Sequence, residues 1–249
     1  MASAGRNYVS ERLPSLIKEN NVDFTIVNGE NATHGRGLSL ESADQLFEAG
    51  ADVVTMGNHT WSNSSIEHFI DDYAIVRPAN MHPSLPGRGC YIKETPKGGA
   101  AVIQLMGRVF MEPCENPFDE CKRILDEMPE DVKFIIADFH GEATSEKAAF
   151  AHMFDGRLTA VIGTHTHVQT ADQQVLPGGT AYITDVGMCG PVNGIIGMDS
   201  SNVVKKFVYN VPVRFEPAKG AAQLNAVLIE ADDVTGRAIS VERIYERQG

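Results

Sequence analysis

The sequence contains only four cysteines, and none of them lies in a CxxC pair. A disulfide framework or a zinc knuckle needs closer cysteine spacing, so these thiols are predicted to be reduced and mostly buried. No apolar run approaches the roughly 20 residues that cross a bilayer. The N-terminus also lacks the apolar core of a signal peptide. These absences predict a cytoplasmic protein with no membrane segment.

Basic residues are scarce as well: 21 Lys and Arg stand against 33 Asp and Glu, and the net charge is −12. Such a surface repels a polyphosphate backbone and argues against a long nucleic acid as an obligate partner. A small phosphorylated substrate remains compatible, because bound metal ions would dominate the charge of its site. No GxxxxGK(S/T) loop, strand-linked GxGxxG or GxSxG elbow occurs, which removes support for P-loop, Rossmann and serine-hydrolase chemistry.

Strand-like and helix-like segments alternate along the 249 residues. Helices are predicted at 7–20, 39–49, 118–128 and 145–154, and strands at 22–27, 52–56, 100–105, 133–138, 159–162 and 180–184. Three further strands at 211–216, 222–229 and 238–245 are predicted to pair antiparallel, with a turn at 232–236. Alternation of this kind predicts an α/β core. No linker or repeat divides the chain, so residues 1–249 are predicted to form a single domain.

Four of the predicted strands end in clusters of metal-competent side chains. The clusters are NGEN at 28–31, GNH at 57–59, DFH at 138–140 and GTHTH at 163–167. Loops beyond the carboxyl ends of parallel strands share one rim of a sheet, so these clusters are predicted to meet. Imidazole, carboxylate and amide groups together suit a site for two metal ions, which would neutralise phosphate oxygens and generate a bound hydroxide.

The strings TIVNGENATHGRGL, VVTMGNHTW, FHGEATSEK, GTHTHVQTAD and YITDVGMCGP resemble the YmdB-like branch of the calcineurin-like metallophosphoesterases. The resemblance covers nearly the whole chain. GNH and GTHTH in this order characterise the superfamily, and NGEN and HGEATSEK point to the branch. The resemblance implies a four-layer α/β fold, in which two packed mixed β-sheets are flanked by helices.

The same resemblance implies roles for individual residues. Glu30 would bridge two ions; Asn58, His140 and His165 would complete the shell of one ion, and His167 would bind the other. His59 would act on the substrate as general acid or phosphate stabiliser, and Asn31 would help to orient the substrate or coordinate an ion weakly. His34, which lies near Glu30 in the ATHGRG loop, is either a substrate contact or an ordinary loop histidine.

The implied reaction is hydrolysis of a phosphate ester by a metal-activated hydroxide. Members of the branch are associated with cyclic-nucleotide phosphodiesterase activity, so 2′,3′- and 3′,5′-cyclic nucleotides are the expected substrates. The alternatives are a broad phosphomonoesterase, and a weakly active regulatory or scaffold protein that keeps the fold. The expected cofactors are two ions of iron, manganese or zinc, and a homo-oligomer is the expected assembly.

The start of the chain departs from the family pattern. The family opens with a strand that ends in Gly-Asp, and that Asp binds the same ion as His167. Residues Met1–Arg6 align only with the end of that motif. We therefore expect Met1 to be an internal methionine of a longer natural protein, and this chain to be a weaker enzyme than its full-length parent. Mapping the N-terminus of the native protein tests this expectation.

Three other residues keep two interpretations each. Asp138 lies two positions before His140, and it either orients that imidazole or only packs. Asp185 precedes a glycine turn at the same rim and is either functional or structural. Trp61 directly follows the GNHT turn, where it either packs or stacks on a base.

Overall fold

The computed structural model describes residues Met1–Gly249 and contains five α-helices and twelve strands. The helices are α1 Ala2–Glu19, α2 Leu40–Glu48, α3 Pro117–Asp126, α4 Thr144–Met153 and α5 Ser200–Tyr209. The strands are β1 Ile26–Asn28, β2 Val53–Thr55, β3 Ile75–Val76, β4 Cys90–Thr95, β5 Gly98–Met106, β6 Val132–His140, β7 Ala160–Thr164, β8 Gln174–Val175, β9 Ala181–Ile183, β10 Gly190–Pro191, β11 Ala222–Ala231 and β12 Ala238–Arg247. None of the helices is long and apolar enough to cross a membrane.

The strands form one large sheet and two small ones. The six-stranded sheet has the order β4-β5-β6-β7-β9-β8, with parallel pairing in its centre and antiparallel strands at both edges. One small sheet has the order β1-β2-β3 and is parallel, while the other has the order β10-β11-β12 and is antiparallel. The predicted antiparallel pairing of the two C-terminal strands is thus confirmed.

Four layers result from the way these sheets and helices bury their apolar faces. Val53 and Val76 of the parallel small sheet pack on Val102 of β5, and Ala238 of β12 packs on Ala160 and Ala181 of the large sheet. Helices α1 and α2 cover the outer face of the small sheets. Helices α3 and α4 cover the opposite face of the large sheet. The predicted four-layer calcineurin-like fold is therefore confirmed.

Strand β5 illustrates why the sequence adopts this arrangement. All of its residues after Gly98 are buried, because helices cover one face and a small sheet covers the other. Its residues 100–103 are apolar without alternation, as expected for a strand buried on both faces. Helix α2 begins where predicted, since the Ser39 side chain accepts a hydrogen bond from the Ser42 amide and caps the helix.

The predicted strand at 211–216 is wrong. These residues are irregular, and the helix α5 that precedes them was not predicted. The alternation of Val211, Val213 and Phe215 resembles a strand, but Pro212 has no amide hydrogen to give to a ladder. Phe215 is half-exposed, so no layer of the protein covers this segment.

A groove separates β1 from β11, and we refer to it as the β1–β11 groove. It encloses about 650 Å³ and is lined mainly by apolar side chains, among them Val27, Ile136 and Ile229. Strand β1 pairs with β2 alone, and β11 beyond Gln223 pairs with β12 alone. One backbone edge of each strand therefore faces the groove without a partner strand.

Candidate metal centre

The residues predicted to bind metal lie together at one rim of the sheets. Glu30 follows β1, Asn58 follows β2, His140 is the last residue of β6, and His165 and His167 follow β7. All four strands belong to parallel pairs, and the register places His140 beside Thr164, the residue before His165. The parallel pairing is what brings side chains distant in sequence to the same rim.

His140 is the centre of the first group of contacts. Its Nε2 atom lies 2.9 Å from Asn58 Oδ1, 3.1 Å from His165 Nδ1 and 3.2 Å from Glu30 Oε1. His140 and Glu30 are both buried, and Asn58 and His165 are partly exposed at the mouth of the site.

A second group of contacts lies on the other side of Glu30. The Asn31 amide nitrogen Nδ2 lies 3.3 Å from Glu30 Oε2 and 3.2 Å from His167 Nε2. The two oxygens of the Glu30 carboxylate thus face different groups, His140 on one side and Asn31 with His167 on the other. A carboxylate in this position is suited to bridging two cations.

Each of the three imidazoles has its outer nitrogen bound to another part of the protein. The His140 Nδ1 atom lies 3.0 Å from Thr164 Oγ1, which itself donates to Asp138 Oδ1. His167 Nδ1 lies 3.0 Å from the Ile196 carbonyl, and His165 Nε2 lies 3.3 Å from Glu142 Oε2. Because these partners accept hydrogen bonds, the outer nitrogens carry the protons. When a cation is bound, the inner nitrogens would ligate it through their lone pairs, as in metal-binding histidines.

The electrostatics favour a positive ion between these atoms. Burial by itself raises the pKa of Glu30, but the His140 imidazolium and the His59 amide outweigh it and lower that pKa to about 2. Burial lowers the pKa of His140, yet the neighbouring Glu30 carboxylate reverses this and raises it. Burial, together with His140, lowers the pKa of His165 to about 4. Glu30 is therefore ionised at neutral pH, and its buried negative charge favours a cation beside it.

These residues fit metal ions, although no three His, Cys, Asp or Glu side chains are arranged as a ready-formed ligand cluster. The fit rests on distances between pairs of potential ligand atoms. Asn58 Oδ1, His165 Nδ1 and Glu30 Oε1 each lie 2.9–3.2 Å from His140 Nε2. Ligands bound to a common ion at about 2.0–2.2 Å are about 3 Å from each other. The observed spacing of donor atoms is thus the spacing that coordination requires.

His59 lies at the mouth of this site, and its backbone amide donates to Glu30 Oε1 at 2.8 Å. Its ring Nδ1 is 3.3 Å from Ser62 Oγ, and burial lowers the pKa of the ring. His34, in contrast, is exposed and makes no hydrogen bond to the other predicted residues. Its backbone φ is 51°, in the left-handed region. Its predicted role in substrate binding stays a prediction.

The structure also shows the surroundings of Asp138, Asp185 and Trp61, the three residues with two interpretations. Asp138 is buried and accepts hydrogen bonds from Thr164, Thr55 and Asn28, which connects it to His140 through Thr164. Asp185 is buried beside Lys147. Trp61 packs against the core beneath the small parallel sheet. Sequence reasoning missed Thr164 and Lys147, whose importance depends on contacts between elements.

Comparisons with known proteins show which proteins the chain resembles in sequence and in overall fold. A family model described as YmdB-like protein matches residues 1–244. A relative from Bacillus subtilis (strain 168), named 2′,3′-cyclic-nucleotide 2′-phosphodiesterase, is 49% identical over 98% of this chain and 93% of its own length. A hypothetical protein from Thermus thermophilus has a similar structure, with a TM-score of 0.94 and 38% identity over 100% of this chain and 96% of that one. A protein described as a novel phosphatase from Mycoplasma pneumoniae has a TM-score of 0.93 and 40% identity, covering 99% and 90% of the two chains.

Proposed function

The chain belongs to the YmdB-like family, and from this premise we propose that it hydrolyses phosphate esters, with nucleoside 2′,3′-cyclic phosphates as its leading substrates. The relative named 2′,3′-cyclic-nucleotide 2′-phosphodiesterase supports this choice. Water adds to the cyclic phosphate and one ribose–phosphate bond opens, so the reaction needs no second organic substrate. The observation that carries the proposal is a group of three imidazoles around Glu30: the inner nitrogen of His140 lies 3.2 Å from the Glu30 carboxylate, and those of His165 and His167 contact His140 and Asn31 beside it.

We assign metal binding to two groups of side chains that share Glu30. Asn58, His140 and His165 would hold one ion together with Glu30, and His167 would hold the other beside Asn31. Bound ions supply positive charge to the phosphate oxygens and lower the pKa of the attacking water. The chain itself supplies the geometry, because Thr164, Glu142 and the Ile196 carbonyl fix the orientation of the three imidazoles.

His59 is assigned to the substrate rather than to an ion. Its backbone is anchored to Glu30, and its Nδ1 lies near Ser62, which leaves Nε2 for the substrate. Burial lowers the pKa of the free imidazole, which favours the neutral ring, and the neutral ring would donate a hydrogen bond to a phosphate oxygen. A negative phosphate beside the ring favours its protonation, and the protonated ring then gives a proton to the departing ribose oxygen.

The test is a hydrolysis assay on the purified chain after removal of metal and reloading with Mn²⁺, Fe²⁺ or Zn²⁺ separately. Substrates are 2′,3′-cyclic AMP, 3′,5′-cyclic AMP and p-nitrophenyl phosphate. We expect metal-dependent opening of the 2′,3′-cyclic nucleotide. We further expect His59→Ala to reduce kcat by about 10²–10⁴-fold without loss of bound metal. The exposed His68 is the matched control, since His68→Ala should leave kcat unchanged.

The outcomes separate the candidate functions. Faster hydrolysis of p-nitrophenyl phosphate than of either cyclic nucleotide would identify a phosphomonoesterase instead. Absence of hydrolysis with every metal and every substrate would contradict the proposal and favour a regulatory protein that keeps the fold.

A further inference from the structure

The segment that carries His165 and His167 has a strained backbone. His165 has a φ of 101° and His167 a φ of 68°, both in the left-handed region that non-glycine residues rarely adopt. Immediately before them, a side chain at Gly163 would collide with the Thr184 carbonyl oxygen. Strain of this kind persists only where surrounding contacts over-determine the conformation. Something in the fold must therefore hold residues 163–167 in place.

A fully buried ion pair makes contacts on both sides of His165. Lys147, on α4, is 0% exposed, and its Nζ donates to the Thr164 carbonyl at 2.7 Å and to Asp185 Oδ2 at 2.9 Å. Asp185 is 1% exposed, and the same Oδ2 accepts the Thr166 amide at 2.9 Å. Its Oδ1 accepts the Gly187 amide at 2.8 Å. One pair of opposite charges thus binds the backbone directly before and directly after His165.

A contribution to stability does not by itself account for this pair. Two charges lose their hydration when they are buried, and apolar residues of similar volume are often as stable or more stable. What apolar residues cannot supply is a donor for the Thr164 carbonyl and an acceptor for the Thr166 amide. The directional contacts to the backbone are therefore the property that distinguishes this pair from a hydrophobic replacement.

We propose that Lys147 and Asp185 are positioning residues, which hold the strained 163–167 segment so that His165 and His167 present their inner nitrogens to the metal site. The inference deepens the proposed function and rests on it. Neither residue hydrogen-bonds to a side chain assigned to the metal site, and each acts through the backbone of the histidine-bearing segment.

Three variants test the proposal, with Mn²⁺ affinity from calorimetric titration and thermal midpoint as the two readouts. Lys147→Met leaves the Asp185 charge buried alone and should lower both quantities. The double variant Lys147→Met with Asp185→Asn removes both charges. We expect it to recover most of the thermal midpoint while Mn²⁺ affinity stays about 10–100-fold weaker than in the parent, the loss typical when groups that orient metal ligands are removed. Asp185→Asn alone keeps the shape of the side chain and should fold, with an intermediate loss of affinity.

A matched control separates positioning from general destabilisation. Phe154 is buried in the α4 core and contacts neither histidine, so Phe154→Leu should lower the thermal midpoint and retain Mn²⁺ affinity. Mn²⁺ affinity within about threefold of the parent in the folded Asp185→Asn and double variants would overturn the inference. If the parent chain binds no Mn²⁺ and hydrolyses none of the substrates, the proposed function fails first, so the two failures are distinguishable.

Discussion

At the scale of single residues, the behaviour of the site depends on the outer partners of its imidazoles. Thr164 is the clearest case, because its hydroxyl donates to Asp138 and accepts from His140 Nδ1. The chain Asp138–Thr164–His140 fixes which nitrogen of His140 carries the proton, and it leaves Nε2 free for a cation. These hydrogen bonds favour the orienting interpretation of Asp138, which stays a prediction.

Replacing Thr164 by valine should weaken metal binding. Thr164→Val keeps the shape and removes the hydroxyl, so His140 loses the acceptor that orients its ring. We expect Mn²⁺ affinity to fall by about 10–100-fold, measured by calorimetric titration. Thr55→Val is the control, because Thr55 also donates to Asp138 but makes no contact with His140. An equal loss of Mn²⁺ affinity in both variants would contradict the orienting role of Thr164.

At the scale of elements, helix α4 contributes both to the core and to the site. One face of the helix carries Phe150, which is 0% exposed and packs its ring against Phe118, Phe139 and Phe154. Phe150→Ala should reduce the free energy of unfolding by about 3–5 kcal/mol, because it removes apolar contacts and leaves a cavity. Chemical denaturation measures the change. Met153→Ala, at an exposed position of the same helix, should change it by less than about 0.5 kcal/mol.

Helix α1 is attached to strand β12 by an ion pair whose contribution depends on pH. Arg12 donates to the Glu246 carboxylate at 2.6 Å and lowers the pKa of Glu246 below its ordinary value. A depressed pKa in the folded state means that the stabilisation is present at neutral pH and is lost as pH falls through the carboxyl range. Glu246→Gln should therefore lower the urea midpoint at about pH 7 and have little effect at about pH 3. An equal reduction at both pH values would exclude a role for the charge.

The elements that the sequence predicted well are those with a strong local signal. Strands β5 and β6 each contain a short apolar run, and α2 has Ser39 as its cap. Helix α5 was missed because its valines and aromatic residues resemble a strand, and the Asp199 side chain that caps it was the available signal. The site followed the same rule: side chains at strand ends were predictable, whereas Thr164 and Lys147 act through contacts that only the packed layers create.

At the scale of the whole molecule, the β1–β11 groove is a part of the core where apolar side chains are only half-buried. Ile26 and Val27 of β1 are only half-buried, and residues 226–229 of β11 are half-buried as well. The groove also reaches Glu30, His165 and His167, so it adjoins the metal site.

Amide hydrogen exchange can distinguish the strands that border the groove from strands that pair on both sides. Amides of β1 that point away from β2 meet no partner strand, whereas β5 pairs on both sides and all its residues after Gly98 are buried. Local opening free energies are lowest where backbone bonds are few and apolar contacts sparse. We therefore expect residues 22–28 to exchange at least about 10-fold faster than residues 99–106 in deuterium exchange followed by mass spectrometry. Residues 132–140 of β6, also central in the sheet, provide the second reference. Equal protection of β1 and β5 would mean that the groove closes in solution, and that the free edges of β1 and β11 do not persist there.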